Sequence, residues 1–330
     1  MTPRDILIIK PSSMGDVLQA LPAVHCLKRT YPTAKLHWLI NPEWSPLLTG
    51  NPDLAEIILF PRGQFRGFQG LVRAVDWARA LRRLRPDLAL DFQGLLRSAL
   101  LSRATRPKRL LGLADAREGS RLFYDDTAPT SRETQHGVDR YLALAALAGA
   151  EVSGEPVFRL PAGQPFAAFE LPSRYLLLHP FARGRGKSLT WLEICRLAQG
   201  LAPWPVILVG IGARKSSLPR NAISLVNQTS LPELIWLIRQ ATFTVSVDSG
   251  PMHLAAALTD DLLSIHFWSN PRQVGPYRPD AWVWKQGACI RMRDLPDTRS
   301  DRRDDRRPDP EELAQFLHER LLRAAGRAVN

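Results

Sequence analysis

The first turn of the chain constrains its fold more than any other stretch. An apolar run at Ile6–Lys10 predicts a buried strand, and an apolar-periodic segment at Asp16–Arg29 predicts a helix that Pro22 should kink or delay. A short polar turn, Ser12–Asp16, joins the two. This pattern is typical of the βαβ unit of a parallel sheet. The turn matches neither the phosphate-binding loop G-x-x-x-x-G-K-[ST] nor the dinucleotide fingerprint G-x-G-x-x-G.

This turn places one acidic residue, Asp16, at the start of the predicted helix. The positive end of the helix dipole favours an ionised carboxylate there, and a structural helix-start acid is the commoner role of such a residue. Ligands of open α/β sheets bind beyond the carboxyl ends of the strands. An ionised carboxylate in that place is also suited to accept a proton from a hydroxyl group, so both roles stay open.

Strand and helix signals alternate along the whole chain, with one interruption. Residues 151–172 are rich in proline and glycine, and such stretches connect domains. We therefore predict an α/β fold with an N-terminal Rossmann-like domain over residues 1–160, a linker over 161–172 and a C-terminal Rossmann-like domain over 173–308.

The end of the chain carries two further signals. The stretch 291–308 mixes Arg with Asp, and we expect a solvated loop there. A final helix and tail should occupy 309–330, with Asp309 as the N-cap and Pro310 as the first helical residue. In the C-terminal half the predicted strands are Tyr175–His179, Pro205–Val209, Ile223–Val226, Phe243–Val247 and Leu262–Phe267.

Charge and cysteine usage limit the partners and the compartment. The chain has 44 Lys and Arg against 32 Asp and Glu, a net charge of +12, which indicates either a solvated basic surface or an anionic partner. The basic residues are scattered and no RNP, zinc-finger or KH motif occurs, so nucleic acid is the weakest partner class. Sparse, separated cysteines fit a reducing compartment. With neither a signal peptide nor an apolar run of about 18 residues, we predict a cytoplasmic protein that could still touch a membrane surface.

Two further turns follow predicted strands and could bind an anion. The first is HPFARGRGK at 179–187, where Arg183, Arg185 and Lys187 stand among glycines. Basic side chains on a glycine-rich turn suit a phosphate group, although an exposed basic loop has the same composition.

The second turn is VDSGPMH at 247–253, where a strand gives way to a helix. The amides of Ser249 and Gly250 would point at an anion, and His253, one turn into the helix, is either a ligand-binding or a structural histidine. The chain contains no D-x-D, H-x-x-x-H or H-E-x-x-H pattern, so we expect no metal site and no cofactor. Positive charge must then come from Lys, Arg and helix N-termini.

Together these turns resemble glycosyltransferase family 9, the bacterial ADP-heptose:lipopolysaccharide heptosyltransferases. The resemblance is collinear over nearly the whole chain and is most specific in IKPSSMGDVLQALPAV (9–24) and VDSGPMHLAAAL (247–258); other matching segments are 91–100, 115–124, 136–145 and 274–282. It implies a GT-B fold, in which two Rossmann-like domains face each other across a cleft. It also implies inverting, metal-independent transfer of heptose from ADP-L-glycero-D-manno-heptose to a lipid-linked oligosaccharide, the lipopolysaccharide inner core. Such an acceptor implies peripheral contact with the cytoplasmic face of the inner membrane.

The resemblance also implies roles for named residues. Asp16 matches the family's proposed general base, and Lys187 matches the lysine that contacts the donor phosphates; both are predicted to be catalytic. The predicted donor-binding residues are Arg183, Asp248, Ser249, Gly250, Met252 and His253. The predicted acceptor-binding residues are Ser13, Gly15, Arg62 and Arg117.

Several departures from the family keep alternatives open. Ala213-Arg214-Lys215 replaces an acidic residue that many relatives use near the donor ribose, and the run 266–270 lacks a small glycine. One alternative is a family 9 transferase with another nucleotide sugar or acceptor, including a protein. A second is a non-catalytic module that binds nucleotide sugars. A nicotinamide-dependent oxidoreductase is disfavoured because G-x-G-x-x-G is missing after the first strand.

Overall fold

The computed structural model describes residues 2–64, 67–184, 186–213, 217–296 and 306–327. Outside the described residues lie Arg185 of the basic loop, Arg214 and Lys215, residues 297–305 of the expected solvated loop, and the last three residues of the tail. The chain divides into two compact units, Met1–Pro161 and Ala162–Asn330. The division falls within the proline- and glycine-rich stretch 151–172.

The first unit contains a sheet of six parallel strands in the order β3-β2-β1-β4-β5-β6. Its central strands, β1 and β4, are buried along nearly their whole length, which explains why they are continuously apolar rather than alternating. The strands are β1 (Asp5–Ile9), β2 (Lys35–Ile40), β3 (Glu56–Leu59), β4 (Leu88–Asp91), β5 (Arg109–Leu113) and β6 (Asp126–Ala128), and the helices are α1 (Met14–Thr30), α2 (Gly67–Leu81), α3 (Leu96–Ala104) and α4 (Gly137–Leu147).

Helix α1 begins at Met14, two residues earlier than the sequence predicts, and runs through Pro22 to Thr30. Ser13 is its N-cap, and the side chain of Asp16 accepts the N–H of Ser13 in a capping box. The cap therefore sets the start of the helix at the serine turn. The prediction that Pro22 would delay the helix is wrong.

The second unit repeats the same strand order, β9-β8-β7-β10-β11-β12, and adds an antiparallel edge strand, β13. The strands are β7 (Leu176–His179), β8 (Val206–Leu208), β9 (Ala222–Ser224), β10 (Phe243–Val247), β11 (Leu262–Ile265), β12 (Trp282–Lys285) and β13 (Ala288–Arg291), and the helices are α5 (Trp191–Gly200), α6 (Leu231–Gln240), α7 (Gly250–Leu258), α8 (Pro271–Val274) and α9 (Pro310–Arg327). Helix α9 places Leu313, Leu317 and Leu321 in the core of this unit.

The C-terminal region is more structured than the sequence predicts. The stretch expected to be a solvated loop includes the last residue of β13 and a short 3-10 helix at Met292–Asp294. Arg307 is also held, because its guanidinium bonds the carbonyl of Ser188 at 2.9 Å and the carboxylate of Glu193 at 2.6 Å. Asp309 caps α9 as predicted: its Oδ1 accepts from the N–H of Glu311 at 2.8 Å.

In each unit the strand order reverses direction between the first and fourth strands of that unit, β1 and β4 or β7 and β10. In doubly wound sheets this switch point opens a crevice at the carboxyl ends of the strands, where ligands bind. The turn with Asp16 follows β1, and the turn with Ser249 follows β10. Across the described part of the chain, no helix combines the length and apolarity that crossing a membrane requires.

Candidate active site

At the first switch point, Asp16 uses both carboxylate oxygens. Its Oδ2 accepts from the backbone N–H of Ser13 at 3.1 Å and from the Ser13 hydroxyl at 2.6 Å. Its Oδ1 accepts from the hydroxyl of Tyr141 at 3.2 Å and lies 3.5 Å from the ammonium of Lys10. The side chain is still 38% exposed. One carboxylate therefore caps α1 and remains accessible from outside.

These partners keep Asp16 ionised. Partial burial by itself would raise the pKa of Asp16, but the charge of Lys10 and the hydrogen bonds from Ser13 and Tyr141 outweigh it. The pKa of the Asp16 carboxyl is therefore held well below its usual range. At neutral pH the group can accept a proton but has none to give.

Lys10 is a residue that the sequence analysis did not select. It is 2% exposed, donates to the carbonyl of Phe92 at 3.3 Å, and lies 5.1 Å from the ring centroid of Tyr141. Burial lowers the pKa of Lys10, and the nearby carboxylates of Asp16 and Asp91 oppose that shift. A buried lysine requires such partners. The signal in the sequence was a lysine directly after four consecutive apolar strand residues.

The loop after β4 forms the other side of the same switch point. Asp91 is fully buried and accepts from the hydroxyls of Ser98 at 2.7 Å and Tyr124 at 2.8 Å, and from the N–H of Gly94 at 3.1 Å. Burial raises the pKa of Asp91 against these hydrogen bonds. The side chain of Gln93, by contrast, leaves this loop and accepts from the N–H of Ser12 at 3.3 Å. Asp91 thus shapes the loop, and Gln93 ties it to the Asp16 turn.

Two arginines, Arg117 and Arg132, lie next to the loop after β4. The backbone N–H of Arg117 donates to the carbonyl of Gly94 at 2.9 Å, and the Arg117 side chain is exposed. The Nε of Arg132 is buried and has no hydrogen-bond partner among the described residues. Burial first, and then the charges of Arg140 and Arg117, lower the pKa of Arg132. The carboxylate of Asp115, 3.8 Å from this Nε, opposes that shift.

The predicted acceptor residues differ in how closely they join this cluster. Ser13 bonds Asp16 directly, and Gly15 is buried in the first turn of α1. Arg117 reaches the cluster through the β4 loop. Arg62 lies in a short 3-10 turn after β3, two strands away from β1, and no hydrogen bond or ion pair with the described residues links it to Asp16.

At the second switch point, Lys187 and Asp248 form a close ion pair. The ammonium of Lys187 lies 2.7 Å from Oδ2 of Asp248, and the two side chains are only 20% and 11% exposed. Burial would raise the pKa of Asp248, but the charges and hydrogen bonds of its neighbours, Lys187 among them, lower it. The structure brings together a lysine and a carboxylate 61 residues apart in the sequence.

The start of α7 presents amides without a side-chain cap. Ser249 is the N-cap, but its hydroxyl turns back to the carbonyl of Val247 at 3.0 Å and lies 3.3 Å from Nδ1 of His179. Gly250 opens the helix, and the side chain of Met252 is fully buried beneath it. An uncapped helix N-terminus is suited to an external anion.

His253 and Arg183 complete the predicted donor set. His253 is half-buried in the first turn of α7, close enough to His266 for its charge to lower the pKa of that imidazole. Arg183 is exposed on the loop between β7 and Lys187. The structure therefore groups five of the six predicted donor residues at α7 and the β10 turn, while Arg183 lies on the loop that carries Lys187.

Trp268 is a second residue that the sequence analysis did not assign a role. The Lys187 ammonium lies 4.2 Å from the centroid of its ring, which is a cation–π distance, and Trp268 is 43% exposed. The loop beneath the ring is rigidly held. Lys285, buried, donates to the carbonyls of Phe267 at 2.8 Å and Ser269 at 3.3 Å, and the buried imidazole of His266 bonds the Ser269 hydroxyl at 3.0 Å.

A glycine turn after β8 adjoins this site. Gly210 has a φ of +122°, and a Cβ there would lie 2.9 Å from the rings of His179 and Phe181. Asn227 holds Gly212 through two hydrogen bonds of 3.1 and 2.8 Å. Glycine is therefore required at 210 because the turn packs directly against the segment that leads to Lys187.

The described residues contain no group of three or more His, Cys, Asp or Glu side chains placed to hold a metal ion. Positive charge at the second switch point comes from Lys187 and the N-terminus of α7. This arrangement can bind an anion such as a diphosphate, while the first switch point offers an ionised carboxylate among hydrogen-bond donors.

Comparison with known proteins identifies the family. The sequence model of glycosyltransferase family 9 (heptosyltransferase) matches residues 75–295. Lipopolysaccharide heptosyltransferase 1 of Pseudomonas aeruginosa is 29% identical over 296 residues, which cover 82% of this chain and 81% of that protein.

Solved structures agree in fold. The Escherichia coli heptosyltransferase WaaC with ADP superposes with a TM-score of 0.75 at 22% identity, over 96% of this chain and 99% of that one. WaaC with ADP-2-deoxy-2-fluoro heptose superposes over the same shares with a TM-score of 0.73 at 21% identity. These likenesses confirm the predicted GT-B fold class. Because the family match spans more than half of its length, the chain belongs to glycosyltransferase family 9, the heptosyltransferase family.

Proposed function

We propose that this glycosyltransferase transfers heptose from ADP-L-glycero-D-manno-heptose to a sugar of the lipopolysaccharide inner core, with inversion and without a metal ion. Relatives named as lipopolysaccharide heptosyltransferases support the sugar and the pathway, and the structures of WaaC with ADP and an ADP-heptose analogue support the donor. The observation that carries the proposal is the pairing of Lys187 with Asp248 beside the uncapped N-terminus of α7.

Donor binding rests on the second unit. The Lys187 ammonium has three N–H donors, and one of them donates to Asp248. The other two can donate to phosphate oxygens. The amides of Ser249 and Gly250 add the positive end of the α7 dipole. Two sources of positive charge would stabilise ADP as it leaves, which is the work that a metal ion performs in other transferases. Arg183, Asp248, Met252 and His253 would complete the donor site.

Acceptor activation rests on Asp16. The acceptor hydroxyl attacks the anomeric carbon, the bond to the diphosphate breaks with its electron pair leaving on ADP, and the hydroxyl proton passes to Asp16. Because the pKa of Asp16 is depressed, the carboxylate is always available at neutral pH but is a weak base. It would therefore take the proton late, when the new bond has made the hydroxyl acidic. Ser13, Gly15, Arg62 and Arg117 would bind the acceptor.

Turnover with a donor panel tests this function. We expect the protein to release ADP from ADP-heptose in the presence of inner-core acceptor, to do so in EDTA, and to ignore UDP- and GDP-sugars. No product from ADP-heptose would overturn the donor assignment, and activity that EDTA abolishes would overturn metal independence. Binding of ADP-sugar without turnover on any acceptor would indicate the non-catalytic module instead.

Lys187→Met tests the donor site. Loss of a charge-assisted hydrogen bond, about 1.5–3 kcal/mol, should raise the donor KM about 10- to 100-fold. Lys108→Met is the matched control, because Lys108 also pairs with an aspartate, Asp87, at 2.6 Å but lies in the first unit and is 67% exposed. Its kinetics should be unchanged. Equal KM values for Lys187→Met and the wild type would remove Lys187 from the donor site.

A further inference from the structure

Three leucines are exposed on one part of the first unit. Leu122 is 89% exposed, Leu100 48% and Leu96 38%. Leu96 and Leu100 are one turn apart on α3 and so share a face of that helix. Helix α3 packs against the 3-10 turn Ser120–Phe123, and Arg103 of α3 donates to the carbonyl of Phe123 at 2.7 Å. The leucines are therefore neighbours rather than scattered apolar residues.

Exposed arginines lie close in sequence to these leucines. Arg97, Arg117 and Arg121 are exposed, and none of the three forms an ion pair with a described residue. Between residues 96 and 122 the one exposed acid is Glu118, whose carboxylate accepts the N–H of Leu96 at 3.2 Å. Other arginines nearby are neutralised; Arg103, for example, pairs with Asp125 at 2.7 Å. We name Leu96, Leu100, Leu122, Arg97, Arg117 and Arg121 the Leu122 surface.

Its location connects this surface with the candidate active site. Helix α3 follows the carboxyl end of β4, and residues 117–122 follow the carboxyl end of β5. Both segments therefore lie at the same end of the sheet as Asp16, the end formed by the carboxyl ends of the strands. The backbone N–H of Arg117 also donates to the carbonyl of Gly94. An acceptor held at the Leu122 surface would be held on the side of the sheet where the proposed base lies.

We propose that the Leu122 surface docks on an anionic lipid bilayer. Exposed leucines can enter the headgroup region, and unpaired arginines are attracted to acidic lipids at about 1 kcal/mol each. The proposal rests on the proposed function in one respect: a lipid-linked acceptor gives the enzyme a reason to work at a membrane. The charge of the surface selects a bilayer over an apolar protein partner, for which three unpaired arginines would be costly to bury.

Sedimentation with vesicles tests the docking without donor or acceptor. The wild type should bind phosphatidylcholine vesicles that contain about one-third phosphatidylglycerol, and bind pure phosphatidylcholine only weakly. Leu122→Ser should weaken binding about tenfold through lost apolar burial. Arg121→Ser should weaken it about fivefold, and only on the acidic vesicles. Because both residues are exposed, the melting temperature should not change.

A matched control is an exposed leucine–arginine pair outside the Leu122 surface, Leu322 and Arg323 on α9. Leu322→Ser, at a residue 59% exposed, should bind vesicles like the wild type. Equal losses for Leu322→Ser and Leu122→Ser would overturn the docking surface, as would wild-type protein that ignores acidic vesicles. A change of oligomeric state on Leu122→Ser, without a change in vesicle binding, would assign the surface to a second copy of the chain and overturn the proposal.

Turnover separates this proposal from the proposed function. Leu122→Ser should retain wild-type turnover on an inner-core fragment that has lost its acyl chains, and lose several-fold on acceptor embedded in acidic vesicles. Wild-type protein that binds vesicles but transfers no heptose would refute the proposed function alone. Transfer that is indifferent to the variant on both acceptors would refute the docking alone.

Discussion

The two units share a strand order and a switch point but place opposite charges there. In the first unit the start of α1 is occupied by an acid of its own chain, Asp16, which closes a capping box with Ser13. In the second unit the start of α7 has no side-chain cap, and the nearest acid, Asp248, is paired with Lys187 instead. Both helices begin after an N-cap serine with an extended backbone, Ser13 or Ser249. The side chains around each helix start therefore decide which chemical group that start offers to a ligand.

This difference explains how one fold can supply two kinds of site. A helix N-terminus that is filled by an internal carboxylate offers that carboxylate to a hydroxyl group. A helix N-terminus that is left open offers its amides to an external anion. The buried lysines follow the same division: Lys10 keeps the carboxylate of the first unit ionised, while Lys285 holds the loop under Trp268 in the second. Predictions that affect one unit and spare the other test this account.

The largest expected effect is on the first unit. Asp16→Asn keeps an oxygen for the capping box but removes the proton acceptor, so kcat should fall about 100- to 10,000-fold. Donor affinity should be unchanged because the donor is proposed to bind the other unit. Steady-state kinetics and calorimetric titration with ADP would measure the two quantities.

Glu233→Gln is the control for the helix cap. Glu233 closes the same kind of capping box with Ser230, through bonds of 2.7 Å to its N–H and hydroxyl, at the start of α6. Glu233→Gln should lose about 1 kcal/mol of stability or less. Asp16→Asn should lose more, because the buried Lys10 also loses a charged partner. Only Asp16→Asn should lose turnover. Unchanged kcat in Asp16→Asn would leave the residue as a helix cap and nothing more.

The second effect concerns acid stability and falls on the second unit. Burial lowers the pKa of His179 and of His266 to about 4, so both imidazoles are neutral in the folded chain. In the unfolded chain they titrate near 6.5. The unfolded state therefore binds more protons as the pH falls below about 6.5, and folding stability declines until about pH 4. At pH 5 the loss should be about 2 kcal/mol for each histidine.

The first unit should keep its folding stability over the same pH range. The depressed pKa of Asp16 contributes stability that is lost only below the unfolded pKa of about 3.9, outside the same window. Hydrogen exchange at pH 7 and pH 5, corrected for the intrinsic rates, would compare the amides of β7 and β10 with those of β1 and β4. Equal loss of protection in both units would contradict the assignment of buried neutral histidines as the cause.

Much of the fold follows from local patterns in the sequence. Buried parallel strands are continuously apolar, and the turn after each is short, so the two α/β units and the capped start of α9 were predictable. Strands β12 and β13 were missed because a polar turn at Gln286–Gly287 separates two short segments, and β13 is only partly buried. The predicted start of α1 is two residues late because the prediction takes Asp16, and not the residue after the Ser13 cap, as the beginning of the helix.

The candidate site was less predictable than the fold. The turns that carry Asp16, Lys187 and Ser249 follow strands, so the sequence locates them. Lys10 and Tyr141 could not be assigned to Asp16 from the sequence, because Tyr141 is 125 residues away and only tertiary packing brings its hydroxyl to the carboxylate. The contact of Trp268 with Lys187 is equally non-local. Resemblance to the family does not supply it either, since the run 266–270 departs from the family pattern.

The smallest expected effect tests that last contact. The Trp268 ring lies against the Lys187 ammonium, which we propose binds the donor diphosphate, and an exposed cation–π contact is worth about 0.5–1 kcal/mol. Trp268→Leu should therefore raise the donor KM about two- to fivefold with little change in kcat, and Trp268→Phe should raise it less because a weaker ring remains. In a Lys187→Met background the same substitution should have no further effect, since Trp268 acts through the lysine. An equal loss in both backgrounds would mean that the indole touches the donor itself. The second unit would then hold the nucleotide sugar through an aromatic contact that has no counterpart at Asp16 in the first unit.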